Sequence, residues 1–195
     1  MKVILFDLMN TLIPDPFKAA VKTLSGSLEK FLEVKNALAY LKFEAGKCTE
    51  DEYLKNIFKE NKEKEAGFTA QEFKTEMLKT PSLYPGVQEC LNSLKSEYKL
   101  YLASNYGPWF SEHYKNSGLE NLMDGYFVSY QLKIRKPNPA FFKKILQKLK
   151  INPENAIFID DQPLNVAAAS KLGIKSILAE SGWIEELKKN LISLG

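Results

Sequence analysis

The stretch Phe6–Leu12, with the sequence FDLMNTL, decides how the rest of the chain is interpreted. It follows the apolar run Val3–Leu5, which is typical of a strand buried in a parallel β-sheet. The polar turn after this run places Asp7 at the carboxyl edge of the sheet, where open α/β sheets bind their ligands. Taken alone, an aspartate in this position is more often a helix cap or a turn residue. The other motifs of the chain decide between the two interpretations.

The composition is that of an ordinary globular protein. Of 195 residues, 45% are hydrophobic and 26% are charged, and the formal net charge is +3. This length allows one large domain, or one domain with an insertion. Because lysines alternate with glutamates along predicted helix faces, we interpret them as solvated surface and expect no nucleic-acid partner. No apolar run approaches the length of a membrane span, so no membrane association is expected.

The cysteines bear on the cellular compartment. Cys48 and Cys90 are far apart in the sequence and form no CxxC motif. We interpret them as reduced thiols, which predicts a cytoplasmic protein. Asp7 interrupts the first apolar residues too early for the core of a signal peptide. We expect a monomer or a weak homodimer.

Two proline-containing linkers, Pro14–Pro16 and Pro81–Gly86, divide the chain. Between them the apolar residues have helical spacing, and no convincing strand occurs. Beyond the second linker, predicted strands alternate with helices, which predicts an α/β fold with a doubly wound, Rossmann-like parallel sheet. We therefore expect a core domain of residues 1–14 and 84–195, with a small helical cap of residues 15–83 inserted after strand 1.

Three of the apolar runs end in polar residues, at Asp7, at Ser104-Asn105 and at Asp160-Asp161. The carboxyl ends of parallel strands meet at one edge of a sheet, so we expect these side chains to converge. Each has an ordinary structural explanation as a helix cap or a turn residue, and Lys136 by itself is explained as a surface lysine. Together they form a candidate site for a metal-assisted attack on phosphorus.

Four segments, in order along the chain, resemble the motifs of the haloacid dehalogenase-like hydrolase superfamily: Phe6–Leu12, Leu102–Asn105, Arg135–Pro139 and Phe158–Asp161. The predicted helical block occupies the position of that family's first cap. The turn after Asp7 and the Arg-Lys-Pro motif are most similar to those of bacterial sugar-phosphate phosphatases of the glucose-1-phosphate type. The resemblance thus implies a hydrolase that acts on a small phosphorylated substrate.

The resemblance also implies roles for individual residues. Asp7 would attack the phosphoryl group and form an aspartyl-phosphate, and Lys136 would neutralise charge on the nucleophile and the phosphate. Mg²⁺ would be the cofactor, since oxygen-only ligation suits this ion. Its ligands would be Asp7, the Met9 backbone carbonyl, Asp160 and Asp161. The phosphate would be bound by the Asn10-Thr11 turn, Ser104, Asn105 and Lys136.

Met9 departs from the family pattern. Most phosphatases of the family carry a second aspartate two residues after the nucleophile, where it serves as general acid and base. A thioether cannot protonate a leaving group, and such help is typically worth about 10²–10⁴ in rate. The metal site can survive this change because the family uses only the backbone carbonyl of that residue.

Three interpretations of Met9 stay open. A phosphatase of the subgroup with a non-acidic residue here would favour good leaving groups, or take an acid from the cap or the substrate; we prefer this interpretation. A 2-haloacid dehalogenase also lacks the second aspartate, but it needs no metal and typically binds halide through a cap arginine, whereas Arg135 is the only arginine. A catalytically inactive binding protein would keep the fold, although the other motif residues are all retained.

A few residues outside the motifs complete the expectations. His113 is the only histidine, which argues against a Ser-His-Asp hydrolase and a histidine-ligated zinc site. We expect a surface or structural role for it. The aromatic residues Phe17, Tyr40 and Tyr53 of the predicted cap are candidates for lining the substrate pocket.

Overall fold

The computed structural model describes residues 2–192, and its centre is a five-stranded parallel sheet. The strands are β1 (Val3–Phe6), β2 (Lys99–Ser104), β3 (Gly125–Val128), β4 (Ala156–Asp160) and β5 (Lys175–Leu178). Their order is β3-β2-β1-β4-β5, so β1 is the middle strand. Every neighbouring pair is parallel, which confirms the predicted doubly wound sheet.

Six helices lie between β1 and the next core helix, and we call this region, residues 15–83, the insert. They are α1 (Pro16–Ser25), α2 (Leu28–Val34), α3 (Ala37–Glu44), α4 (Glu50–Lys55), α5 (Glu63–Ala66) and α6 (Ala70–Met77). A threonine followed three residues later by a glutamate predicts a capping box, and this pattern occurs twice in the insert. Helices α4 and α6 begin with such boxes, formed by Thr49 with Glu52 and by Thr69 with Glu72. The predicted helical character of the insert is confirmed, and the division into core and cap domains stays a prediction.

The second part of the chain supplies the helices that cover the sheet. They are α7 (Val87–Leu94), α8 (Phe110–Asn116), α9 (Ser129–Leu132), α10 (Pro139–Leu149), α11 (Pro163–Ser170) and α12 (Trp183–Ile192). Alternate residues of β1 point to opposite faces. Val3 and Leu5 belong to the apolar cluster that includes α10, whereas Ile4 and Phe6 belong to the larger cluster that continues into the insert. Because β1 is covered on both faces, all four of its residues are buried and apolar.

Two contacts fix how the insert leaves and rejoins the core. The backbone N–H of Tyr84 donates a hydrogen bond to the carbonyl oxygen of Leu12 at 2.9 Å, so the two linkers run side by side. His113 is buried, with Nδ1 3.1 Å from the Thr80 hydroxyl and Nε2 3.1 Å from the Tyr106 hydroxyl. Its role is structural, because it joins Thr80, just before the return linker, to Tyr106 in the loop after β2.

The structure also bears on the thiols and on membrane association. Cys48 and Cys90 are both free, as predicted, and Cys90 is buried. Within the described part of the chain, no helix combines the length and the apolar character needed to cross a membrane. The cytoplasmic location stays a prediction.

Candidate active site

Asp7, Lys136 and Asp160 meet at the carboxyl edge of the sheet. Phe6 pairs with Leu102 of β2 and with Ile159 of β4, so the residue after β1 lies between the ends of both neighbours. Lys136 Nζ lies 3.0 Å from Asp7 Oδ1 and 2.5 Å from Asp160 Oδ2. The expected convergence is therefore present, and its centre is a buried cation between two buried carboxylates.

Asn105 holds Lys136 in place. Its Oδ1 accepts a hydrogen bond from the Lys136 backbone N–H at 2.8 Å, and its Nδ2 donates to the Lys136 carbonyl at 2.9 Å. Asn105, which directly follows β2, thus fixes the backbone of Lys136. The Lys136–Pro137 peptide bond is cis. Burial lowers the pKa of Lys136, but Asp7 and Asp160 more than offset this, so the pKa is above its ordinary value and the side chain stays charged.

The two carboxylates that flank Lys136 have different surroundings. Burial raises the pKa of Asp7 to about 7, against the opposing effect of Lys136 and with a further rise from Asp160. Asp160 accepts hydrogen bonds from the Gln162 backbone N–H at 2.8 Å and from Asn165 Nδ2 at 3.0 and 3.1 Å. Asp160 is therefore held rigidly. The Asp7 carboxylate has fewer partners: Lys136 lies at ion-pair distance from Oδ1, and Oδ1 makes no well-aligned hydrogen bond with the described residues.

The acidic residues of this edge fit a divalent cation. Oxygen atoms of Asp7, Asp160 and Asp161 all lie within 4.8 Å of one another. With all three carboxylates ionised and Lys136 protonated, the cluster carries a charge of −2, which is costly in a largely buried position. An oxygen-only donor set of this charge suits Mg²⁺ better than zinc or copper. The residues present therefore fit the predicted magnesium site.

The turn after Asp7 is only partly organised as predicted. Asn10 has a left-handed backbone, with φ of 57°, a conformation that asparagine tolerates. Its backbone N–H already donates to the Ile13 carbonyl at 2.7 Å, and its side chain lies 3.4 Å from Asp161 Oδ2. Thr11 Oγ1 is buried and has no hydrogen-bond partner among the described residues. Ser104 is buried against Asp7, where it helps to lower the carboxyl pKa.

A cleft of about 330 Å³ opens above this cluster and is bounded by both the core and the insert. From the core, the predicted residues that line it are Asp7, Met9, Asn10, Asn105, Lys136 and Asp161. From the insert, Asp15, Tyr40 and Glu44 complete the wall. The insert therefore supplies part of the wall of the cleft into which the candidate nucleophile faces.

Arg135 and Glu44 tie the insert to the core beside this cleft. Glu44 is the last residue of α3, and its Oε2 accepts a hydrogen bond from Arg135 Nε at 2.6 Å. Burial raises the pKa of the Glu44 carboxyl, and Arg135 opposes the rise. The Ser129 hydroxyl donates to the Glu44 carbonyl oxygen at 2.6 Å, and Lys133 Nζ donates to the Gly46 carbonyl at 2.5 Å. The only arginine is thus engaged in a contact between insert and core.

Comparison with known proteins agrees with the resemblance of the motifs. The model of the haloacid dehalogenase-like hydrolases matches residues 4–179. The chain belongs to this family. Flavin mononucleotide hydrolase 1 of Arabidopsis thaliana is 30% identical over 195 residues, which cover 99% of this chain and 77% of that protein. Phosphoglycolate phosphatase of Aquifex aeolicus is 29% identical over 201 residues, covering 95% of this chain and 87% of that one.

A solved structure shows the same fold. A haloacid dehalogenase family enzyme of Bacteroides thetaiotaomicron, in complex with magnesium and inorganic phosphate, has a TM-score of 0.72 at 23% identity, covering 93% of this chain and 96% of that chain. The predicted family, the fold and the assignment as a hydrolase with phosphatase relatives are therefore confirmed.

Two acidic residues that line the cleft, Asp15 and Glu44, were not found from the sequence. Glu44 is one of many glutamates in the insert, and no pattern distinguishes it from the others. Asp15 had a usable signal, because an aspartate between two prolines at a linker is a strong helix cap. Its carboxylate does cap α1, accepting from the Phe17 backbone N–H at 2.9 Å.

A larger open groove of about 660 Å³ lies between α7 and the start of α12. Thr11 lines this groove, whereas Asn10 lines both the groove and the cleft over Asp7. The predicted contact of phosphate with the backbone of the Asn10-Thr11 turn stays a prediction. Glu89, Cys90 and Lys188 also line the groove, but Asp7 and Lys136 do not. The smaller cleft is therefore the candidate active site.

Proposed function

We propose that the protein is a Mg²⁺-dependent phosphatase that acts on a small phosphorylated metabolite through an aspartyl-phosphate on Asp7. The observation that carries the proposal is the arrangement of Asp7 and Asp160 on either side of Lys136, with Asp161 close enough to share a cation. The names of the relatives support it, since a flavin mononucleotide hydrolase and a phosphoglycolate phosphatase both act on phosphorylated small molecules.

Each residue of the cluster has a part in this chemistry. An Asp7 oxygen forms a bond to phosphorus while the ester P–O bond breaks, and Lys136 neutralises charge on both partners. Water then hydrolyses the aspartyl-phosphate and releases inorganic phosphate, which regenerates Asp7. Bound Mg²⁺, held by Asp7, the Met9 carbonyl, Asp160 and Asp161, would supply positive charge against the phosphate oxygens. Phosphate oxygens would also meet Ser104, Asn105 and the Asn10-Thr11 turn.

We assign the missing general acid to Asp15. It lines the same cleft as Asp7, and burial raises its pKa, with the Phe17 backbone N–H opposing and Asp161 adding to the rise. Glu44 is unsuitable because its carboxylate is paired with Arg135. Asp15 gives its proton to the departing ester oxygen, and it takes one from water when the aspartyl-phosphate is hydrolysed.

The insert is assigned the role of a cap. Its residues 15–83 follow β1, and Asp15, Tyr40 and Glu44 close the cleft from that side. A cap in this position excludes water from the phosphoryl group and contacts the leaving group, so it sets the substrate range.

The alternatives gain less support from the geometry. A 2-haloacid dehalogenase needs no metal, which leaves the Asp160 and Asp161 carboxylates next to Asp7 without a function. Arg135, the arginine that such an enzyme would need for halide, is paired with Glu44. An inactive binding protein has no need of the network of Asn105 and Asn165 that fixes Lys136 and Asp160.

The proposal is tested by phosphate release from a panel of phosphate monoesters, p-nitrophenyl phosphate and acetyl phosphate, with and without Mg²⁺. We expect release that depends on Mg²⁺ and disappears in Asp7→Asn, because the amide is not a nucleophile. Asp51→Asn is the matched control, since Asp51 is an exposed aspartate of α4 outside the cleft. Equal release from wild type and Asp7→Asn, or release that ignores Mg²⁺, would contradict the proposal.

A further inference from the structure

A second pocket, of about 200 Å³, lies inside the insert and adjoins the cleft over Asp7. The two spaces share Asp15 and Tyr40 as wall residues, so these two side chains separate the aromatic pocket from the cleft. We call it the aromatic pocket, because its walls include the rings of Phe17, Phe31, Tyr40, Tyr53 and Phe73.

The aromatic rings of the pocket differ in how far they are buried. Phe31, Tyr53 and Phe73 are buried and form the inner part, whereas Phe17 and Tyr40 are partly exposed. The Phe31 and Phe73 rings are stacked with centroids 5.3 Å apart, and Phe17 lies 5.6 Å from Phe31. Walls of this kind offer both faces and edges to a further ring, the two geometries that aromatic pairs prefer.

The volume of the aromatic pocket is large for a space between such short helices. Protein interiors are close-packed, and side chains as large as phenylalanine and tyrosine normally fill the space between short helices. In the insert they surround about 200 Å³ instead. A dry apolar cavity of about 150 Å³ is enough to bind benzene in another protein. The aromatic pocket is therefore large enough for one planar ring, with or without a second fused to it.

Lys35 and Asp15 are the charged residues in the wall of this mostly aromatic pocket, and Lys35 is the cationic one. Its Nζ lies 4.6 Å from the centroid of the Phe17 ring and 5.2 Å from that of Tyr40. Within residues 2–192 it forms no ion pair, although Asp15 and Glu44 are near enough to influence it. A partly buried ammonium with available N–H groups favours a ligand that presents an oxygen or nitrogen acceptor.

We propose that the aromatic pocket binds the leaving group, and that the substrates are phosphate monoesters whose alcohol carries a planar aromatic or heteroaromatic ring with a hydrogen-bond acceptor. This substrate class rests on the proposed phosphatase activity. The phosphate lies at Asp7 and Lys136, the ester oxygen passes Asp15 and Tyr40, and the ring enters the aromatic pocket. Lys35 donates a hydrogen bond to the acceptor on the ring.

The first test compares kcat/KM for benzyl phosphate, cyclohexylmethyl phosphate, ethyl phosphate and 4-pyridylmethyl phosphate. The benzyl and cyclohexylmethyl esters derive from primary alcohols of similar size and acidity, so their leaving groups differ mainly in what they offer the pocket. The alcohol of the pyridyl ester is more acidic, and the Lys35→Met variant separates this effect from the contact with Lys35. We expect benzyl phosphate to exceed cyclohexylmethyl phosphate by about five-fold, the size of an aromatic pair interaction. We expect 4-pyridylmethyl phosphate to be better still, since its nitrogen reaches Lys35. Equal values for the cyclohexyl and benzyl esters would overturn the proposal.

Variants locate the effect. Phe17→Leu should bring the ratio of benzyl to cyclohexylmethyl phosphate close to one, and Lys35→Met should remove the advantage of the pyridyl ester over the benzyl ester. Phe58→Leu is the matched control, because Phe58 is a buried aromatic residue of the insert that does not line the pocket. A wild-type ratio in Phe17→Leu, or the same loss in Phe58→Leu, would argue against the pocket.

A binding measurement separates this proposal from the proposed activity. Saturation-transfer NMR with 4-pyridylmethanol, which carries no phosphate, reports on the pocket whether or not the protein hydrolyses esters. Binding that weakens in Lys35→Met and Phe17→Leu supports the pocket even if no ester is cleaved, in which case the phosphatase proposal alone fails. Cleavage of all four esters at the same rate, without binding of the alcohol, refutes the pocket and leaves the phosphatase proposal intact.

Discussion

In the proposed mechanism, Asp15 takes over the part of general acid that an aspartate at the position of Met9 has in most phosphatases of the family. Met9 lines the cleft and is only 7% exposed, so it adds an apolar surface where a carboxylate usually stands. Asp15, at the first linker, lines the same cleft and has a raised pKa. Moving the acid from the turn to the linker places it on the segment that connects core and insert.

Asp15→Asn tests this division. Asparagine caps helices as well as aspartate does, so α1 and the melting temperature should be retained. We expect hydrolysis of ethyl phosphate to fall by about 10²–10⁴, the usual contribution of a general acid, and hydrolysis of acetyl phosphate to change little because acetate leaves without a proton. Adding Met9→Asp to this variant should restore ethyl phosphate hydrolysis. An equal loss for both substrates would show that Asp15 does not act as the acid.

The pH dependence of the rate provides a second test of Asp15 as the general acid. Because the acid form of Asp15 is required, the wild-type rate on ethyl phosphate should fall as pH rises above its raised pKa. Acetyl phosphate should not show this decline. In Asp15→Asn the decline for ethyl phosphate should be absent.

His113 makes the stability depend on pH. Burial lowers the pKa of His113 to about 4, from an ordinary value of 6.5. Between these values the unfolded chain binds a proton that the folded protein does not, so the free energy of unfolding falls as pH falls, by roughly 3 kcal/mol over the range. Urea unfolding of wild type and His113→Gln at pH 4.5, 5.5 and 7 measures it. A stability difference between the two proteins that is constant across pH would contradict the assignment.

At the residue scale, the sequence was informative wherever a side chain follows a strand. The predicted convergence of Asp7, Asp160 and Asp161 is present, because strand ends in a parallel sheet converge. Lys136 follows no strand, and its place beside Asp7 was implied only by the resemblance of the motifs. The partners that hold the site were not predictable in this way. Glu44 and Arg135 are 91 residues apart in the sequence and meet only when the insert packs against the core. The residues around each of them therefore do not predict the contact.

Among the secondary-structure elements, the predicted bounds agree best with the structure where the sequence contains a clear helix cap. The apolar spacing from Pro139 to Leu149 predicts a helix, and α10 has these bounds, since Asn138 and Pro139 start it with a cap and a fixed φ. The sequence also predicts a helix from Val87 to Tyr98, but α7 ends at Leu94, because the Glu97 and Tyr98 backbone N–H groups both donate to the Leu94 carbonyl and turn the chain into β2. In the insert, the sequence predicts helix but not its division into six pieces.

Helix α6 supplies Phe73 and Met77 to the aromatic pocket, so its cap should influence both stability and specificity. Thr69→Ala removes the capping box, and we expect a loss of about 1 kcal/mol in the free energy of unfolding. Thr75→Ala on the exposed face of the same helix is the matched control and should be close to neutral. Denaturant unfolding of the three proteins compares them. Equal losses in both variants would show that the cap itself is unimportant.

For the whole molecule, a bound cation should act as a stabilising ligand. The candidate cluster of Asp7, Asp160 and Asp161 is assembled only in the folded chain, so Mg²⁺ favours the folded state by about 2.7 kcal/mol at one hundred times its dissociation constant. That raises the melting temperature by roughly 5–10 °C for a chain of this size. EDTA should reverse the shift. Asp161→Asn should reduce it, and a full shift in that variant would exclude Asp161 as a ligand.

The hydrogen bond between Tyr84 and Leu12 places the two ends of the insert next to each other. The insert therefore begins and ends at neighbouring points of the core, and it does not change the order of the strands in the sheet. A segment of another length could be spliced between these positions without moving the strands that carry Asp7 and Asp160. If the core carries the chemistry and the insert sets the substrate range, as proposed, then replacing the insert at these two adjacent linkers should change the substrates and leave Asp7 and Asp160 in place.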